Sequence, residues 1–172
     1  MTNGVRSDAR LTLPACADDI KKLEVGMLVE LNGVMYTARD QAHKRIAEAI
    51  ERGEKLPFDL GGAAIYYCGP TPAKDGQIIG SCGPTTSGRM DKYAPLLIEK
   101  GIRVMIGKGV RNDAVKSAIS KYGAVYFSAI GGAAALYRST VKSCELIAYP
   151  DLGCEAVYKL TVENFPAVVS VL

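Results

Sequence analysis

The chain has 172 residues, 48% apolar and 23% charged, with 21 lysines and arginines against 18 acidic residues and a formal net charge of +3. That is enough for one domain with a real core, and it excludes the strongly basic footprint of a nucleic-acid binder. The opening Met1-Thr2-Asn3-Gly4-Val5-Arg6-Ser7-Asp8 lacks the apolar core of a signal peptide, and the longest apolar run, Ala124 to Tyr137, is glycine-rich and too short to cross a bilayer, so the expectation is a cytoplasmic protein with neither membrane nor nucleic-acid partner.

In chain order, residues 1–9 read as an N-terminal tail on a single domain spanning 1–172. Leu23 to Ala38 reads as a hairpin, because Asn32-Gly33 between two β-rich runs is a strong two-residue turn signal. Asp40 then caps a helix that carries Ala42, Ile46, Ala49 and Ile50 on one stripe and ends at Gly53. Short strands follow at Ala63–Tyr67 and Gln77–Ser81. A helix from about Ser87 to Lys100 is interrupted by Pro95, which either kinks it or starts its second part. Ile102–Ile106 is a compact apolar strand. Asn112 caps a helix with Val115, Ala118, Ile119 and Tyr122 on one face and Gly123 as its stop. Ala124–Ser128 is a strand, Gly131-Gly132 a turn and Ala133–Thr140 a short helix. Three late strands are expected at Ser143–Ala148, Glu155–Val162 and Ala167–Leu172; the last residues fall within a strand, which leaves them to pack against something else. Strand and helix alternate in the middle while both ends are β-rich. The class is α/β with a mixed sheet rather than a clean doubly wound one.

Gly83-Pro84-Thr85-Thr86-Ser87-Gly88-Arg89-Met90-Asp91 is the richest stretch in chemistry. It puts hydroxyls, backbone amides and a guanidinium at a strand-to-helix junction, where unpaired N–H groups favour an anion and the arginine fork suits a carboxylate or phosphate. Arg39, just before Asp40, and Lys108, between two glycines, lie at two further such junctions. If the three junctions share one sheet edge, three cations converge on one dicarboxylate; taken singly, each is as readily a solvated surface charge. Gly107-Lys108-Gly109 is not a phosphate loop, since Gly101 and Gly107 are one residue too far apart and a glycine follows the lysine.

His43 is the single histidine, so a Ser–His or Cys–His nucleophilic pair or a local metal site would have to use it; a structural hydrogen-bonding role suits it equally. Cys16, Cys68, Cys82, Cys144 and Cys154 are odd in number and far apart, with no Cys-x-x-Cys pair. They suit neither a disulfide framework nor a self-contained zinc or iron–sulfur site, and buried, inert thiols are the default. Met35, Met90 and Met105 read as core filler.

Thr37-Ala38-Arg39-Asp40-Gln41-Ala42-His43-Lys44-Arg45, the Gly83–Asp91 stretch and Ile106-Gly107-Lys108-Gly109, in this order and spacing, resemble the β subunit, or C-terminal domain, of class I iron–sulfur hydro-lyases, fumarase and L-tartrate dehydratase. Asp151-Leu152-Gly153-Cys154-Glu155-Ala156 and Val162-Glu163-Asn164-Phe165-Pro166-Ala167 resemble its closing segment, so the resemblance covers roughly residues 10 to 172. It implies a swivelling β/β/α domain with a mixed central sheet and flanking helices. It also implies a partner: an iron–sulfur α subunit in an α2β2 hetero-oligomer, whose three cysteines hold a [4Fe–4S] cluster, with no metal bound by this chain. Arg39, Arg89 and Lys108 resemble the family's ligands for the carboxylates of a small dicarboxylate substrate. Thr85 matches the threonine that takes the C3 proton of malate, its alkoxide stabilised by Arg89, Lys108 or the helix terminus; a helix-capping hydroxyl is the rival role. His43, Asp40, Thr86 and Ser87 form a second tier, and the acid for the hydroxyl belongs to the partner. Gly88 resembles the fumarase pattern more than that of tartrate enzymes, and mesaconate is a further substrate. Two other readings stay open. A non-catalytic dicarboxylate-binding module would keep the cations and be indifferent to Thr85, whereas a stand-alone isomerase or hydrolase would depend on His43.

Overall fold

The computed structural model describes residues 7–130 and 132–172. Four parallel strands form its centre: β2 (Leu28–Thr37), β3 (Ala64–Tyr66), β4 (Val104–Gly107) and β5 (Val125–Ser128). The 15-residue β7 (Val157–Val171) runs antiparallel to both β5 and β2 and closes these strands into a barrel-like ring. β1 (Ala9–Leu13) extends the sheet parallel to β2, and β6 (Val141–Ala148) extends it antiparallel to β7, giving seven strands in all. The fold is thus the mixed α/β type expected, a β/β/α domain with flanking helices.

Period-two alternation divides the strands between two cores. Val29, Leu31, Ala64, Tyr66, Val104, Ile106, Val125, Phe127, Leu160, Phe165 and Val169 fill the ring, where α5 (Ala134–Thr140) adds Tyr137, its ring stacked on Phe165 with centroids 4.5 Å apart. The opposite face, with Ile65, Tyr67, Met105 and Tyr126, packs against Ala42 and Ile46 of α2 (Asp40–Glu51), Leu97 and Ile98 of α3 (Ala94–Glu99), and Val115 and Ile119 of α4 (Asp113–Tyr122). A short α1 (Ala17–Ile20) follows β1. Asn112 caps α4 by accepting the Val115 N–H, and Gly123 ends it in the left-handed region, both as expected. Pro95 starts the second part of its segment rather than kinking a long helix: Ser87–Met90 is a single 3₁₀ turn and α3 begins afresh at Ala94.

Other expectations are corrected. Asn32-Gly33 makes no hairpin turn; it is a bulge inside one continuous strand, and the run Val34–Thr37 pairs with β7 instead of folding back. Glycine is required there because its φ is +114° and a Cβ would lie 2.3 Å from the Leu13 carbonyl oxygen of β1. Across from it, Asn164 has φ +53° and donates its N–H to the Asn32 side chain at 2.9 Å, so the break expected between two late strands is the matching bend of one. Gln77–Ser81 forms no strand, while Ala9–Leu13, outside any expected element, does. Of the expected tail, residues 1–6 lie outside the described residues, whereas Asp8 already exchanges hydrogen bonds with Leu28. Gly131 of the expected turn also lies outside them. No helix among the described residues is long and apolar enough to cross a membrane.

Candidate active site

Because β2, β3 and β4 are parallel, the segments leaving them emerge at one carboxyl edge, where α/β sheets hold ligands. Arg39 follows β2 and Lys108 follows β4. The Thr85–Ser87 strip threads between the strand ends: the Thr85 N–H donates to the Tyr67 carbonyl (2.7 Å), the Lys108 N–H to the Thr85 carbonyl (3.3 Å), and the Ser87 N–H to the Lys108 carbonyl (2.9 Å). The 3₁₀ turn that follows swings Arg89 back to α2, where its Nε donates to Asp40 Oδ1 at 2.9 Å and its Nη2 to Asp40 Oδ2. The three cationic junctions therefore share one edge.

Arg39 lies a quarter exposed; its Nε is 4.0 Å from both Asp40 Oδ2 and Glu155 Oε1 and has no hydrogen-bond partner among the described residues. Glu155 arrives through the turn Pro150–Glu155, which Arg45 ties to α2 through Asp151 (2.8 Å). Asp40 is the first residue of α2 rather than its cap; Arg39 holds the cap position, and the Asp40 carboxylate is committed to Arg89, whose hydrogen bond holds it below the usual carboxylate range. Lys108 and Thr86 are exposed and Thr85 is half-buried. Neither threonine hydroxyl forms a hydrogen bond among the described residues, and the cap position of the 3₁₀ turn falls to Thr86, so Thr85 does not cap it. A groove of about 680 Å³ lined by Ile50, Leu56, Phe58 and Lys100 contains none of these residues; the cations stand on an open face.

Two of the sequence candidates turn inward. Ser87 is fully buried, and its hydroxyl donates to the Tyr126 oxygen at 2.8 Å, because the one Tyr126 proton goes to the Gly109 carbonyl at 2.9 Å. Gly107 makes this contact possible, since a Cβ there would lie 2.0 Å from Ser87 Oγ. His43 is also buried and edges onto the Tyr67 ring at 5.3 Å. Its Nδ1–H donates to the Arg39 carbonyl at 2.8 Å, which fixes the neutral tautomer with the proton on that nitrogen. Burial pushes its pKa down to about 4, against the pull of that hydrogen bond. The folded value lies below the unfolded one, so the unfolded chain binds more protons in between and stability falls as pH drops from about 6.5 to about 4. The expected loss over that window is about 3 kcal/mol. In His43→Asn, which keeps an N–H for the Arg39 carbonyl, this part of the pH slope should vanish when denaturant unfolding is followed across the window; an unchanged slope would contradict it.

Beneath the edge lies a cluster that the sequence does not announce. The Arg111 side chain is fully buried, donates from Nε to Asp91 Oδ1 (2.7 Å) and from Nη1 to the Tyr67 hydroxyl (3.2 Å), and lies over the Tyr67 and Tyr126 rings at 5.1 and 4.9 Å. Its Nη2 is buried without a hydrogen-bond partner among the described residues, and the two ring faces offset part of that cost by attracting the guanidinium as a whole. Asp91 also accepts the Asn112 N–H at 2.8 Å. This cluster pins the loop of Thr85 to the loop of Lys108 from below.

Among the described residues no group of three or more His, Cys, Asp or Glu side chains is placed to hold a metal ion. Cys68 and Cys82 are buried as expected, whereas Cys16 and Cys154 are exposed. Burial raises the Cys68 and Cys82 thiols well out of the reactive range. Gly88 is not imposed by packing: a Cβ there would meet only the Val110 carbonyl oxygen, at 3.9 Å.

Residues 3–172 match the family described as Fumarase C-terminus. The chain is similar to fumarate hydratase 2 of Leishmania major, 40% identical over 172 residues that make up 99% of this chain and 30% of that protein. The aerobic class I fumarate hydratase of Escherichia coli K12 is 39% identical over 169 residues, 97% of this chain and 31% of its own length. A putative L(+)-tartrate dehydratase subunit beta of Methanocaldococcus jannaschii is 44% identical over 158 residues, 88% of this chain and 81% of its length. The chain thus spans about a third of the fumarate hydratases but most of the separate beta subunit.

Proposed function

The chain belongs to the Fumarase C-terminus family, and on that premise we propose that it is the β component of a two-subunit hydro-lyase that interconverts fumarate and (S)-malate. The observation that carries this reading is the gathering of Arg39, Arg89, Lys108 and Thr85 at one carboxyl edge of the parallel strands. Arginine forks and a lysine at such an edge suit the two carboxylates of a short dicarboxylate. The open face of that edge and the share of its relatives that the chain covers support a partner bearing the rest of the site. The iron–sulfur cluster of such an enzyme would be carried by the α subunit, and no step assigned to this chain passes through it.

In the proposed roles, Arg39, Arg89 and Lys108 bind and orient the carboxylates, which places C3 against the Thr85 hydroxyl. In the dehydration direction Thr85 Oγ1, as the alkoxide, takes the C3 proton while the C2 hydroxyl, protonated by an acid on the partner, leaves as water; hydration reverses both transfers. An alkoxide at neutral pH requires stabilisation by neighbouring positive charge, which Lys108 supplies. Fumarate rather than L-tartrate rests on the resemblance of Gly88 to the fumarase pattern, at a position where packing does not impose a glycine. The beta-subunit relative favours tartrate as the second reading, with mesaconate a third. The test is anaerobic turnover of fumarate, L-tartrate and mesaconate by this chain with and without a co-expressed iron–sulfur α subunit. Fumarate hydration only in the reconstituted complex is the expected result. Turnover by the isolated chain, or an assembled complex with a loaded cluster that ignores all three, would overturn the reading; preference for tartrate would shift the substrate alone.

A further inference from the structure

The Arg89 guanidinium has two edges able to grip a carboxylate, one formed by Nε and a proton of Nη2, the other by Nη1 and the remaining Nη2 proton. Asp40 takes the whole of the first edge. The second has no hydrogen-bond partner among the described residues, on a side chain that is 44% exposed. Asp40 itself is rigidly placed: it opens α2, directly after Arg39, whose Nε lies 4.0 Å from its Oδ2. Glu155, from the turn Pro150–Glu155, lies at 4.0 Å from the same Nε. The two arginines and two carboxylates thus alternate in sign along the edge.

We propose that Asp40 is a positioning residue for the substrate clamp: it grips Arg89 by the inner edge of the guanidinium and so presents the outer edge to a substrate carboxylate. The proposal rests on the reading of Arg89 as a substrate ligand. It makes Asp40 a brace, not a competitor, because the bound edge and the offered edge are different donors of one rigid plane. The brace is ionised at neutral pH, since the Arg89 hydrogen bond lowers the pKa of the Asp40 carboxyl. An arginine on a long, flexible stem loses rotamer freedom when it binds; one already fixed by a carboxylate loses less. The brace therefore acts on substrate affinity, in the ground state and the transition state alike, more than on the chemical step.

The experiment compares the wild-type complex with Asp40→Asn and Asp40→Glu in two readouts: calorimetric binding of succinate, a dicarboxylate that cannot be hydrated, and the split between KM and kcat for fumarate. Asn keeps the size and one acceptor but loses the charge and the two-point grip. Asp40→Asn is expected to weaken succinate binding about tenfold and raise KM in step, with kcat lowered less than about threefold, and Asp40→Glu to recover part of the affinity. Succinate binding that is unchanged or tighter in Asp40→Asn would overturn the brace, the tighter case marking Asp40 as a competitor for Arg89. A fall in kcat at constant KM would overturn it too, by placing Asp40 in the chemistry. Wild-type complex that binds succinate yet turns over no dicarboxylate would sink the hydro-lyase reading alone, and the succinate ratio would still decide the brace.

Discussion

Asp91→Ala is expected to destabilise the chain by about 3–5 kcal/mol, the cost of leaving a buried charge without its partner. Arg111 is wholly buried over the Tyr67 and Tyr126 rings, and among the described residues Asp91 is its only carboxylate contact. The same substitution strips the acceptor from the Asn112 N–H at the start of α4. Set against a total stability of about 5–15 kcal/mol, the loss amounts to a fall in Tm of about 10 °C for a chain of this size. Arg111→Met should also destabilise, but less, because Met fills much of the same volume and the buried Asp91 carboxylate it leaves keeps the Asn112 N–H. The double variant Asp91→Leu with Arg111→Met should recover most of the loss. Thermal or denaturant unfolding of the three variants checks this, and a change below about 1 kcal/mol in Asp91→Ala would show that the pair does not hold the loops.

Thr85→Ala is expected to lower kcat for fumarate hydration by about 10²–10⁴-fold, the range for loss of a proton-transfer group, while the complex still assembles and binds dicarboxylate. The fold should tolerate the change. Thr85 is tied to its neighbours by its backbone N–H and carbonyl, which alanine keeps, and its hydroxyl forms no bond whose loss would be felt among the described residues. Stability within about 0.5 kcal/mol of wild type is therefore expected alongside the loss of turnover. Turnover within about threefold of wild type would remove Thr85 from the chemistry and leave the cationic clamp intact.

The sequence carried the site's outline because Arg39, Arg89 and Lys108 each follow a recognisable apolar strand or motif, and parallel strands deliver such residues to the same edge. Their mutual arrangement was not readable. Asp40 looked like a cap and became the partner of an arginine 49 residues away, a pairing that no local spacing encodes. Arg111, Asp91, Tyr67 and Tyr126 likewise meet only through the fold, across separations of 20 and 44 residues between Arg111 and its bonded partners. Ser87 was attractive as one hydroxyl among three, but which of the three faces inward depends on a strand register set by Lys108 and Tyr67. Asn32-Gly33 signals a backbone irregularity, yet it reads as a strand end where a closing ring instead bends its strand in mid-course. β1 is faint in the sequence because five residues alternating apolar and polar, next to a polar N-terminus, carry little periodic signal.

The central claim is that Arg39, Arg89 and Lys108 form one clamp for a dicarboxylate. The most direct measurement is the position of succinate in a crystal structure of the complex with the iron–sulfur α subunit. The account predicts succinate at the carboxyl edge of β2, β3 and β4, with one carboxylate on the outer edge of the Arg89 fork, the other within reach of Arg39 or Lys108, and the chain between them passing the Thr85 hydroxyl. Succinate bound elsewhere, or held at this edge by the partner alone with Arg39, Lys108 and the outer edge of the Arg89 fork all unengaged, would contradict it.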